Sequence, residues 1–129
     1  MNAPELAPLF RFVLVRTSHP GNIGSAARAI RTMGFTRLEL VQPQRFPDRE
    51  ADALAANAVR VLAEAGVHTG LVDALADARF VLGLSARRRG VTLDELTPRQ
   101  GAQAALAAVR RGEPVAYLFG NERTGLDNA

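Results

Sequence analysis

Apolar positions along the chain follow two rhythms that alternate. Short runs at 12–16, 38–41, 80–84 and 115–119 are strand-sized and apolar nearly throughout, which predicts strands buried in a parallel sheet. Between them the period lengthens to that of a helix. Ile23, Ala26, Ala27, Ile30 and Met33 repeat at helical spacing, so a helix is predicted over 23–33, with Asn22 as its N-cap and Gly34 as its stop. Alanine-rich residues 49–56 predict a second helix, with a further turn over 59–65. Residues 67–72 read as a short strand weakened by Gly70, and Asp73 as the cap of a brief helix through Ala78. Thr97-Pro98-Arg99-Gln100 puts proline first in a helix and glutamine three residues after the cap, a capping-box arrangement. That helix is expected to reach Arg110 or Arg111 and to end at Gly112, ahead of the last strand.

Strands that alternate with helices predict an α/β protein with a mostly parallel sheet flanked by helices. Such sheets bind ligands beyond the carboxyl ends of their strands. Three segments leave predicted strand ends and carry candidate chemistry. The first is His19-Pro20-Gly21-Asn22-Ile23-Gly24-Ser25-Ala26-Ala27-Arg28, the second Leu84-Ser85-Ala86-Arg87, and the third Phe119-Gly120-Asn121-Glu122-Arg123-Thr124-Gly125-Leu126. Glycines in the third segment would let backbone groups approach a small polar ligand, because no Cβ stands in the way. Gly21-Asn22-Ile23-Gly24 lacks the G-x-G-x-x-G spacing of a dinucleotide fingerprint. It has the G-x-x-G form of a KH loop, but the α/β context does not suit that small domain. A cap plus a glycine is structural as readily as functional.

Composition narrows the picture in a few respects. The 129 residues amount to one domain, 1–129, and 47% hydrophobic with 22% charged residues is ordinary for a globular protein. There is no cysteine, which excludes disulfides, thiolate zinc sites and cysteine nucleophiles. His19 and His68 form no recognisable metal set with the acidic residues, and no Ser-His-Asp or Walker pattern is present. No apolar run approaches a membrane span and the N-terminus lacks a signal-peptide layout, so a cytoplasmic protein is expected. All sixteen basic residues are arginine and the formal charge is +3. The sequence pI of about 10.9 overstates that basicity, and Arg87-Arg88-Arg89 is the better sign of phosphate contact.

Taken in order, the three segments resemble the motifs of the SPOUT superfamily of knotted RNA methyltransferases. Within it they are most similar to the TrmJ branch, the tRNA ribose 2′-O-methyltransferases, and the likeness extends over about residues 12–128. Residues 119–126 match the pattern F-G-x-E-x-x-G-L throughout. The resemblance implies an α/β-knot fold that transfers a methyl group from S-adenosylmethionine to a ribose 2′-hydroxyl of tRNA, in the anticodon loop. It places Asn22 and Arg28 in the substrate pocket as the catalytic pair. It places Leu84, Ser85, Ala86, Gly120, Glu122 and Gly125 at the cofactor, with Leu84 where the family carries a small hydroxyl residue. A backbone contact survives that change and a hydroxyl contact does not. Arg31, Arg87, Arg88, Arg89 and Arg123 are the implied RNA contacts, a homodimer is the implied assembly, and neither metal nor membrane is implied. Family members continue with a strand, a Ser-Leu-Asn type loop and a helix that closes the knot, so the chain is expected to be incomplete at its C-terminus. Two other readings stand beside this one: a non-catalytic RNA-binding fragment or pseudoenzyme of the same fold, and a generic nucleotide-binding α/β protein.

Overall fold

The computed structural model describes residues 3–84 and 96–120. After a helical turn α1 (Ala3–Leu6) and a 3₁₀ turn (Ala7–Leu9), the elements run β1 (Phe10–Val15), α2 (Pro20–Thr32), β2 (Leu38–Val41), α3 (Arg49–Ala55), a 3₁₀ turn (Ala56–Ala58) and α4 (Val59–Ala63). They continue with β3 (Gly66–His68), α5 (Leu71–Ala74), β4 (Phe80–Leu84), α6 (Pro98–Arg110) and β5 (Val115–Phe119). The five strands form one parallel sheet in the order β3-β2-β1-β5-β4. Two right-to-left runs, β1 to β3 and β4 to β5, therefore meet at the β1–β5 pair.

Alternation along β1 decides which helices cover which face. Phe10, Phe12 and Leu14 point to the side of α2, α3 and α4, where Ile23, Ala27 and Ile30 of α2 pack with Leu38, Leu40, Ala51 and Ala55. Phe35, delivered by the left-handed Gly34 at φ +91° that ends α2, lies 5.0 Å from the Phe10 ring and 5.2 Å from Phe12. Tyr117 of β5 stacks on Phe12 at 5.6 Å. On the same face α6 packs Ala105, Ala108 and Val109 against Val115. Its capping box is present as predicted: the Gln100 amide N–H donates to Thr97 Oγ at 3.1 Å, and the Thr97 N–H donates to Gln100 Oε1 at 2.9 Å. The opposite face holds Val13, Val41 and Ala116 under the short α5.

Arg11 sits on that second face, 2% exposed. Its guanidinium donates to the carbonyls of Ala74 and Ala76, at 3.1 and 2.8 Å, and to the Asp77 carboxylate. A charge this deep would be costly alone, and these acceptors at the end of α5 compensate it.

Local chemistry explains where the structure departs from the predicted boundaries. The helix predicted from Ile23 begins at Pro20, with His19 as N-cap, because proline suits the first helical position, where its missing N–H leaves no bond unmade. Asn22 therefore lies inside the first turn, and its backbone N–H donates to the His19 carbonyl at 3.0 Å. The first strand spans Phe10–Val15 and Arg16 falls outside it. The strand predicted over 67–72 is confined to Gly66–His68, since Gly70, in an extended conformation, caps α5. Asp73 is then within that helix. Met33, counted with the apolar stripe of α2, is 58% exposed. Asp48 caps α3 by accepting the Glu50 N–H at 2.9 Å, which the alanine pattern did not indicate.

Ala56 closes α3 at φ 52°, ψ −120°, a region that a Cβ disfavours by about 1–3 kcal/mol. Ala56→Gly should therefore stabilise the protein by about 1 kcal/mol after glycine's greater unfolded-state freedom is offset. Urea denaturation measures this, and a lower midpoint in the variant would refute the strain.

Candidate active site at the carboxyl edge of the sheet

The three motif segments leave β1, β5 and β4, and these are neighbours in the sheet. Leu14 pairs with Phe119, and Leu84 pairs with Phe119 from the other side. Gly120, the next residue, thus emerges between the ends of β1 and β4. Leu84 is exposed and Gly120 half-buried. Ser85, Ala86, Arg87, Arg88, Arg89, Glu122, Arg123 and Gly125 lie outside the described residues.

The side of this edge toward β2 is built from left-handed turns. Arg16, at φ 54°, donates its N–H to the Val41 carbonyl at 2.8 Å, and Gln42, at φ 47°, donates to the His68 carbonyl at 2.9 Å. Each strand end is thereby fastened to the next strand. The Gln42 side-chain amide donates to the Thr69 carbonyl at 2.9 Å, and the Gln44 N–H donates to the carbonyl of buried Thr17 at 3.1 Å. The loop after β2 is so tied back onto the loop after β1, which feeds α2.

α2 carries the first segment. Ile23, Ala27 and Ile30 face the sheet, while Asn22, Arg28 and Arg31 are exposed. At about 100° per residue, Asn22 and Arg28 are separated by roughly 120° around the axis and about 9 Å along it. They occupy two flanks of one helix. Gly21, Gly24, Arg28 and Arg31 share the flank that meets α3. Arg28 and Arg31 have no ion-pair partner among the described residues.

Gly21 and Gly24 serve helix packing. A Cβ on Gly21 would stand 2.8 Å from Leu54 Cδ1 and 3.1 Å from Glu50 Oε1, and one on Gly24 would stand 2.1 Å from the Ala51 carbonyl oxygen. These glycines let α3 approach α2 closely, which resolves their ambiguity in the sequence. Glu50 is also placed beside the first turn of α2, where the helix dipole favours an anion.

Burial pushes the Tyr117 phenol above its ordinary value of 10.0, so it holds its proton near neutrality. Among the described residues no group of three or more His, Cys, Asp or Glu is arranged to hold a metal ion, and no described helix is long and apolar enough to cross a membrane.

Known proteins are similar to this chain in sequence and fold. The model of the SpoU rRNA methylase family matches residues 9–129. The tRNA (cytidine/uridine-2′-O-)-methyltransferase TrmJ of Citrobacter koseri is 50% identical over 119 residues, covering 92% of this chain and 48% of that protein. The crystal structure of TrmJ from Z. mobilis ZM4 superposes with a TM-score of 0.84 at 39% identity, over 92% of this chain and 52% of that one. AviRb of Streptomyces viridochromogenes, a SpoU methyltransferase solved with its cofactor AdoMet, shares the fold with a TM-score of 0.65 at 16% identity, over 98% of this chain and 49% of that one. The chain spans about half the length of the curated relatives it matches. With the matched model extending over nearly every residue, the chain belongs to the SpoU rRNA methylase family.

Proposed function

We propose that this chain is the methyltransferase domain of an S-adenosylmethionine-dependent tRNA 2′-O-methyltransferase. The observation that supports it best is the convergence of all three motif segments on the adjacent ends of β1, β5 and β4. Half-buried Gly120 beside exposed, apolar Leu84 suits a nucleoside, which needs close backbone approach and an apolar surface for its base. Leu84, Ser85, Ala86, Gly120, Glu122 and Gly125 are the residues proposed to hold the cofactor, which supplies an electrophilic methyl group when bound. The substrate is a tRNA, with the anticodon loop as the proposed target, and the protein is proposed to act in the cytoplasm as a homodimer.

Arg28 and Asn22 are the proposed catalytic residues. A guanidinium is a donor and not a base, so Arg28 orients the ribose 2′-hydroxyl and stabilises the negative charge that develops on its oxygen. The hydroxyl proton leaves to an RNA phosphate oxygen or solvent. Arg31, Arg87, Arg88, Arg89 and Arg123 are the proposed phosphate contacts.

Calorimetric titration with S-adenosylmethionine tests the cofactor site. Gly120→Val should weaken binding at least about tenfold by blocking backbone approach, and unchanged affinity would contradict the placement. Salt dependence tests the RNA contacts. Replacing Arg88 and Arg89 by Gln should reduce the slope of log affinity against log salt by about 2, whereas an unaltered slope would remove both from the interface.

A further inference from the structure

We propose that Gly24 is a positioning residue: it admits the backbone of α3 against α2 and so fixes the placement of the flank that carries Arg28. Gly24 has this role only if Arg28 acts at the ribose, as proposed above. The Arg28 guanidinium has no ion-pair partner among the described residues, so its place is set by the helix that bears it. α2 is held against the sheet by Ile23, Ala27 and Ile30, and it is held laterally where it meets α3. Gly24 lies one helical turn before Arg28 on that lateral flank.

The crossing is made of backbone. A Cβ at position 24 would lie 2.1 Å from the Ala51 carbonyl oxygen, 2.9 Å from its carbon and 3.0 Å from the Ala55 nitrogen. None of these atoms can rotate aside, and the helices would have to part by roughly 1 Å to restore ordinary contact. Gly21 offers an internal contrast on the same flank. The atoms nearest its missing Cβ, Leu54 Cδ1 and Glu50 Oε1, end side chains that are both exposed and can swing away. The structure thus separates two glycines that the sequence presents as equivalent. A displacement near 1 Å matters to chemistry that depends on alignment, where it can cost about a hundredfold in rate.

The test compares Gly24→Ala, Gly21→Ala, Arg28→Ala and the Gly24→Ala/Arg28→Ala double variant in the full-length gene product, with kcat and KM for methyl transfer to tRNA. Gly24→Ala should lower kcat by about a hundredfold and leave the KM for tRNA within about twofold, while Gly21→Ala changes kcat less than about threefold. The double variant should be no slower than Arg28→Ala alone, because the two residues act through one contact with the ribose. Additive losses, or equal losses in the two glycine variants, would reduce Gly24 to a folding role and overturn the proposal. A normal rate for Arg28→Ala would instead sink the assigned role of Arg28 itself. If Gly24→Ala does not fold at the assay temperature, all four variants are compared at a lower temperature at which it does, by the same kcat, KM and double-variant criteria.

Discussion

Arg28→Ala should cut methyl transfer to tRNA by about 10²–10³-fold, the cost of removing one preorganised donor from a developing oxyanion, while the melting temperature stays within about 3 °C. The small stability change follows from placement. Arg28 is exposed on α2 and makes no ion pair among the described residues, whereas its neighbours Ala27 and Ile30 carry the packing. Surface substitutions of that kind fall within about 0.5 kcal/mol. The decisive pairing is of the rate with thermal denaturation on the same preparation. A large loss of stability with normal turnover of the surviving protein would mark Arg28 as structural.

The second large effect is expected far from that edge. Arg11→Ala should destabilise the protein by about 2–4 kcal/mol, since it removes the largest fully buried side chain among the described residues and leaves the Ala74 and Ala76 carbonyls without their donor. Arg11→Met should cost less, because it keeps much of the buried volume. The pair also predicts a pH dependence. The hydrogen bond from Arg11, with the charges of Arg11 and Arg37 behind it, holds the Asp77 carboxyl below its usual value of 3.8. A carboxylate with a depressed folded pKa contributes stability that is complete above the unfolded value and fades as pH falls through the lower folded value. Wild type should therefore lose stability more steeply than Arg11→Met below about pH 4. Parallel acid-unfolding curves would refute the coupling.

Much of this architecture is legible in the sequence, for physical reasons that differ by element. Strands β2, β4 and β5 and helix α6 are announced by signals that need no tertiary context: short apolar runs, a capping box, and a left-handed glycine at Gly112 with φ +80°. The start of α2 is hidden because Pro20 and Asn22 both suit a helix entrance, and proline, with no N–H to leave unmade, takes the first helical position. Buried Arg11 is hidden for the opposite reason. An arginine in an alternating strand reads as solvent-facing until α5 is known to end over it. The strand ends that carry the motifs are predictable individually, but their adjacency depends on the order β1-β5-β4, which no local pattern contains. Gly21 and Gly24 look alike in sequence, and only the position of Ala51 distinguishes them.

Methyl transfer from labelled S-adenosylmethionine to tRNA, followed by alkaline digestion and identification of the labelled product, tests the central claim most directly. A 2′-O-methylated ribose cannot supply the neighbouring hydroxyl that alkaline cleavage requires, so label is expected in an alkali-resistant dinucleotide from the full-length gene product, and about 10²–10³-fold less of it per unit time with Arg28→Ala. Label in alkali-sensitive mononucleotides would mean base methylation and would contradict the assigned chemistry. Specific tRNA binding without any transfer would favour the non-catalytic RNA-binding reading instead.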